Sequence, residues 1–130
     1  MKASDDSLER KFIQVAATLG FLAVAFGAFG AHALKSSLSP SGLEVWKTAV
    51  FYQLTHGIVL LIVAAAGQWL SRPWRIWSLR LFTLGVVLFS GSLYLLTLLQ
   101  IKWLGMITPM GGLLLLAAWI CVFIGAFRRV

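Results

Sequence analysis

The chain has 130 residues, of which 60% are hydrophobic and 12% charged, with a formal net charge of +7. A water-soluble fold of this size exposes too much surface to hide so much apolar content, so a lipid bilayer must be the solvent for most side chains. The 11 cations sit singly or in short clusters between apolar runs, a pattern that argues against a nucleic-acid surface and fits the basic flanks of membrane spans.

In chain order, residues 1–11 are a polar tail, in which Ser4 is a candidate helix cap and Arg10 and Lys11 mark a membrane surface. From Phe12 to Leu34 there is no Asp, Glu, Lys or Arg, a stretch long enough to cross about 30 Å of hydrocarbon. Its Ala31-His32-Ala33 ending imitates a signal-peptide cleavage site, but the apolar body exceeds the roughly 7–15 residues of a signal core, so the span is expected to stay attached. On a helix, Ala16, Gly20, Ala23, Gly27, Gly30 and Ala31 share one face. Such a stripe of small residues lets a second helix approach closely in lipid. Gly27 to Ala31 is not read as a phosphate loop, because neither a preceding strand nor the following Lys-Ser/Thr is present.

Pro40 should stop the first helix, and Ser41-Gly42-Leu43-Glu44 reads as a capping box that starts the second near Gly42. Trp46 is expected in an interfacial aromatic belt. The second span covers about 48–70, and its first half is polar: Thr48, Tyr52, Gln53, Thr55 and His56. Ser71 to Ser78, with Arg72, Pro73, Trp74, Arg75 and Trp77, reads as an interfacial turn. The third span, about 81–99, brings Gly85, Ser92 and Tyr94. A tight hairpin at Gln100-Ile101-Lys102 makes it the antiparallel neighbour of the fourth, about 103–127. Pro109 predicts a kink or broken turn near the start of that last span. Cys121, the single cysteine, rules out an intramolecular disulfide and is expected to be a small packing residue.

The pattern therefore predicts an all-α, integral membrane four-helix bundle with antiparallel up-down neighbours. One side holds Lys2, Arg10, Lys11, Arg72, Arg75, Arg80, Arg128 and Arg129; the other holds Lys35, Lys47 and Lys102. By the positive-inside rule both termini are expected in the cytoplasm.

With this topology, small residues (Ala16, Gly20, Ala64, Ala65, Gly67, Gly85 and Gly125) are expected to pack tightly in the inner half. A polar layer falls in the outer half, with His56 as its costliest member. Tyr52 and Gln53 lie on the same side of the helix and within reach of His56. Either His56 serves function or it is a neutral imidazole tying helices together; the second reading is favoured. His32 should lie higher, near the outer end of the first helix, so joint ligation of a metal or haem with His56 needs a break within Gly27 to Gly30. No carboxylate falls inside a span and no serine has a base beside it on its own helix. Neither an enzyme nor a metal or other cofactor is expected.

GAFGAHAL from Gly27 to Leu34, the Trp46-to-His56 run with Tyr52 and Gln53, LFSGSLY from Leu88 to Tyr94 and TPMGG from Thr108 to Gly112 resemble one known family. It is the domain of unknown function 423 family, small bacterial membrane proteins related to eukaryotic transmembrane protein 256. The resemblance implies an uncleaved first span and a four-helix inner-membrane protein, but no activity. It marks His32, Tyr52, Gln53, His56, Ser92, Tyr94, Thr108 and Pro109 as candidate site positions, with Gly20, Gly27, Gly30, Gly85 and Gly125 as helix-packing positions. The polar tail departs from the family's pattern. The leading expectation is a non-catalytic accessory or a component that binds lipid or another small ligand. A small-solute or ion transporter or channel is the alternative, and haem or quinone binding through His32 or His56 the third. Membrane lipids are the expected partners, with a homo-oligomer or a larger membrane complex left open.

Overall fold

A computed structural model describes the backbone of residues 2–127 and the side chains of 6–127; Arg128 and Arg129, counted above among the basic flanks, lie outside the described residues. Among those residues there are four α-helices and no strand: α1 (Lys2–His32), α2 (Pro40–Ala65), α3 (Arg72–Leu99) and α4 (Ile107–Phe127), with a 3-10 turn at Lys102–Met106 leading into α4. Each, α4 together with its leading turn, is long and apolar enough to cross a membrane.

The helix ends differ from the expected ones for local reasons. Ser4 lies inside α1, whose helical backbone already includes Lys2. That helix ends at His32, well before Pro40, where the Ala33 and Leu34 amides both turn back to the Phe29 carbonyl. Pro40 opens α2 instead, because its missing amide is harmless in a first turn. Ser39, not Ser41, is the cap, and its hydroxyl accepts from the Gly42 amide at 3.1 Å. Glu44 turns outward and pairs with Lys47 at 3.1 Å.

The expected interfacial turn at Ser71 to Ser78 is the first two turns of α3. Pro73 sits where a helix start tolerates it, and the Ser71 amide donates to the Gly125 carbonyl at 3.0 Å. Gln100 ends α3 in the left-handed conformation (φ 57°), which lets its amide close on the Leu96 carbonyl. The break expected near Pro109 is the join between the 3-10 turn and α4, with Pro109 in the first turn of α4.

Each helix packs antiparallel on the next. Gly30 meets Trp46 and Gly57 meets Leu19 across α1–α2; Ser90 meets Ala49 across α2–α3; Gly111 meets Phe89 and Gly125 meets Trp74 across α3–α4. The alternation brings the start of α1 and the end of α4 to the same end of the bundle, called here the tail end; the 33–39 and 100–106 connections mark the hairpin end. One core of Ala16, Leu60, Val63, Ala64, Leu79, Phe82, Val86, Leu115 and Ala118 joins all four helices. The small-residue stripe of α1 divides: Ala16, Ala23 and Gly30 are buried, whereas Ala31 is exposed. A β-carbon on Gly20 would meet nothing within 4 Å, so the close approach to α2 there is made by Gly57.

Candidate functional site

The polar side chains of the hairpin-end half reach across helix seams. From α2, the Trp46 indole N–H donates to the Phe26 carbonyl of α1 at 2.8 Å, and Gln53 Nε2 donates to the Leu19 carbonyl at 2.9 Å. From α3, the Tyr94 hydroxyl donates to Gln53 Oε1 at 2.7 Å and the Ser90 hydroxyl to the Ala49 carbonyl at 2.7 Å. Ser92 Oγ lies 3.0 Å from the Phe89 carbonyl and 2.6 Å from Thr108 Oγ1 on α4. A hydroxyl has one proton, so Thr108 donates to Ser92 while Ser92 donates to the carbonyl. Phe26, Trp46 and Tyr94 close the layer as a ring cluster, with Trp46 and Tyr94 centroids 4.6 Å apart. Gln53, Tyr94, Ser92 and Thr108 thus spend their polar atoms on helix-to-helix ties, and Gln53 pairs with Tyr94 rather than His56. Trp46, expected in an interfacial belt, is buried within this cluster.

His56 stands apart from that network. It is 8% exposed, and its Nδ1 lies 2.9 Å from the Tyr52 carbonyl one turn earlier. A carbonyl only accepts, so Nδ1 carries the proton. On the other side the Trp119 indole N–H of α4 points at Nε2 from 3.4 Å, beyond the usual range of about 2.7–3.2 Å. An indole only donates, so Nε2 presents a lone pair. The imidazole is therefore the Nδ1–H tautomer with a weakly used acceptor. Tyr52 stacks on it at 5.7 Å and 14°, and Phe82 packs at 5.8 Å.

His56 lies in the wall of a groove of about 580 Å³ between α2 and α4, floored by Phe89 of α3. Tyr52 and His56 form one side; Pro109, Gly112, Leu116 and Trp119 form the other. The volume falls in the roughly 300–1,000 Å³ range of small-molecule sites, and it opens sideways, where Leu113, Leu116 and Trp119 are exposed. Of the sequence-derived candidates, Tyr52, His56 and Pro109 meet here. His32 does not, because α1 ends there with its side chain exposed at the hairpin end.

The tail-end half differs from the expected plain packing of small residues. Gly85 and Gly125 do face Leu115 and Trp74 closely, at 2.7 and 3.0 Å from where a β-carbon would sit; Gly27, toward the hairpin end, leaves 3.4 Å to Val50. Among them, however, Arg75 is 6% exposed and ion-paired to Glu9 of α1 at 2.5 Å, with a second contact of 3.3 Å to the Ala64 carbonyl. Arg75 Nε and Ser71 Oγ are buried with no partner among the described residues. Also among those residues, no three of His, Cys, Asp or Glu converge as metal ligands.

Sequence reasoning missed Trp119, Arg75–Glu9 and Gly111. For Trp119 a signal existed, since indoles favour membrane interfaces and this one lies mid-helix. For Arg75, the Ser-x-Pro sequence at 71–73 was legible as a helix start, which would have moved it into α3. Gly111 lay inside the TPMGG motif, but nothing local marked it as the point where α4 meets the Phe89 backbone.

Residues 26–112, which carry the polar layer and much of the groove, match the family model described as Protein of unknown function (DUF423). The chain belongs to this family. It is 46% identical over 119 residues to the UPF0382 membrane protein SH2409 of Staphylococcus haemolyticus, covering 92% of this chain and 97% of that one. The UPF0382 membrane protein YwdK of Bacillus subtilis is 41% identical over 90% of this chain and 96% of its own length. The UPF0382 inner membrane protein YgdD of Escherichia coli K12 is 41% identical over 87% of this chain and 86% of its own. No solved structure matches the chain. The family members named here are membrane proteins, as the four spanning helices of this one require.

Proposed function

We propose that this protein is a non-catalytic membrane component that takes up a lipid or another small amphiphile in the α2–α4 groove. One observation carries the reading: a sideways-opening apolar groove of about 580 Å³ whose wall holds a buried imidazole with a weakly used acceptor. Burying an ionisable ring in hydrocarbon is expensive, and such residues mark function more often than leucines do. The polar layer next to it supports a binding rather than a conducting role, because its groups are committed to one another and to backbone carbonyls.

Both termini are read as cytoplasmic from the cation count, which sets the groove in the outer half of the bilayer. A reporter fused to the C-terminus is expected to be active only in the cytoplasm. The binding reading is tested by purifying the native chain and Gly112→Leu in mild detergent and extracting what stays bound. Gly112 lines the groove and has room for a β-carbon, the nearest Phe89 ring atom lying 3.8 Å away, so leucine is chosen to occupy the groove from this position. The native chain should retain a stoichiometric small molecule that the variant lacks; equal retention of bulk lipid by both would overturn the reading. A partner recovered in equal amount with both proteins would assign the accessory role to another surface.

A further inference from the structure

We infer that the occupant of the α2–α4 groove carries a hydroxyl on a flat ring, a phenol or quinol on an apolar body, and that His56 Nε2 accepts its hydrogen bond. This rests on the reading of the groove as a binding site and adds the chemistry of the occupant. The starting point is the imidazole's fixed tautomer. With Nδ1–H committed to the Tyr52 carbonyl at 2.9 Å, only Nε2 is left for an incoming group, and it accepts. Opposite stands the Trp119 indole N–H, which only donates, 3.4 Å away.

A group seated between them must therefore donate to one and accept from the other. A hydroxyl does both. A quinone carbonyl or an ether would satisfy Trp119 alone and leave Nε2 facing a lone pair. Trp119 is 45% exposed on the lipid-facing side, so the indole has space to swing out and admit an oxygen. The ring follows from the walls: Tyr52, Phe89 and Trp119 line the groove beside the His56 imidazole, so much of the lining is aromatic. Flat faces of this kind favour an aromatic guest over a branched aliphatic one. The groove's opening toward lipid leaves an apolar tail in the bilayer. Association is by hydrogen bonding and apolar burial, with no bond made or broken.

The test uses the full chain in detergent micelles with two small probes, 2-naphthol and 2-methoxynaphthalene, each corrected for partition into empty micelles. The native protein should hold the naphthol about tenfold more tightly than the ether, the order expected for one buried hydrogen bond. In His56→Phe, which keeps a ring against Tyr52 but removes the acceptor, that ratio should fall to about one. If His56→Phe does not fold, nitrogen-15 shifts of His56 in the native chain decide the matter. Naphthol should move Nε2 and leave Nδ1 in place; an unmoved Nε2 overturns the inference. Dioctanoylglycerol, an aliphatic alcohol, separates the two sources of a lipid hydroxyl and should bind at least about tenfold more weakly than naphthol; equal binding overturns the ring. Were naphthol and its ether to bind equally and Gly112→Leu to block both, the hydroxyl inference would fall while the groove reading stood. Were neither probe to bind, both would fall.

Discussion

The two ends of the bundle are held together by different chemistry. At the hairpin end, neutral donors (Trp46, Gln53, Ser90, Tyr94 and Thr108) reach carbonyls, an amide or a hydroxyl on the preceding helix. At the tail end the ion pair Glu9–Arg75, with Glu9 32% exposed and its partner buried, joins α1 to α3, beside backbone ties from Arg75 to Ala64 and from Ser71 to Gly125. A neutral donor loses little when it exchanges one partner for another in hydrocarbon, so many weak ties are tolerated there. A charge needs its counter-charge, and among the described residues the buried charge, Arg75, sits in the first turn of α3, at the end of the bundle rather than mid-span. The comparison extends to α1. Only 11% of its spanning window is buried, against 39% for α2 and for α3, so α1 depends on these few ties more than its neighbours do.

The comparison breaks most sharply at Gly111, where α4 rests on the Phe89 backbone of α3 and any β-carbon would overlap it. Gly111→Val should cost about 4 kcal/mol or prevent assembly, read as a lost or strongly lowered unfolding transition in mild detergent. A variant of native stability would mean that the α3–α4 seam is looser than described. Next comes the ion pair. Glu9→Gln strands the buried Arg75 and should cost about 3 kcal/mol, at the low end for broken buried pairs because Glu9 is partly exposed. The double variant Glu9→Leu/Arg75→Met should return to within about 1 kcal/mol of the native chain, since apolar replacement of both partners removes the desolvation cost as well. If the double variant were as damaged as the single one, the tail end would depend on the charges themselves.

The neutral ties are weaker. Tyr94→Phe removes the hydroxyl that meets Gln53 and should cost about 1 kcal/mol, near the average for interhelical bonds in lipid. A loss as large as that of Glu9→Gln would erase the distinction between the two ends. The smallest effect is expected at Gly20, whose β-carbon would stand in open space. Gly20→Ala should leave the melting temperature unchanged or raise it slightly through helix propensity. Destabilisation comparable with that of Tyr94→Phe would show that a further helix covers this face of α1.

Long apolar runs separated by short polar connections were enough to read four membrane helices from the residues alone. Every backbone amide in hydrocarbon must bond within its own segment, so a long uncharged stretch has only the helix open to it. Family membership was legible too, in motifs that lie close together in the chain. Helix ends were less so: Ser39 rather than Ser41 caps α2, because neighbouring serines offer competing caps that local sequence does not rank, and Arg72 to Ser78 is helix rather than turn, because cations and indoles suit an interfacial turn and a first helical turn alike. The site itself was half visible. His56 and Tyr52 share one helix, so their spacing places them together. The pairing of His56 with Trp119, 63 residues away, of Gln53 with Tyr94, and of Glu9 with Arg75 depends on the rotation of each helix about its own axis. That rotation was decided by tertiary structure alone, because it is set by which small residues let two backbones approach, and the contact at Gly111 exists only once α4 is seated on α3.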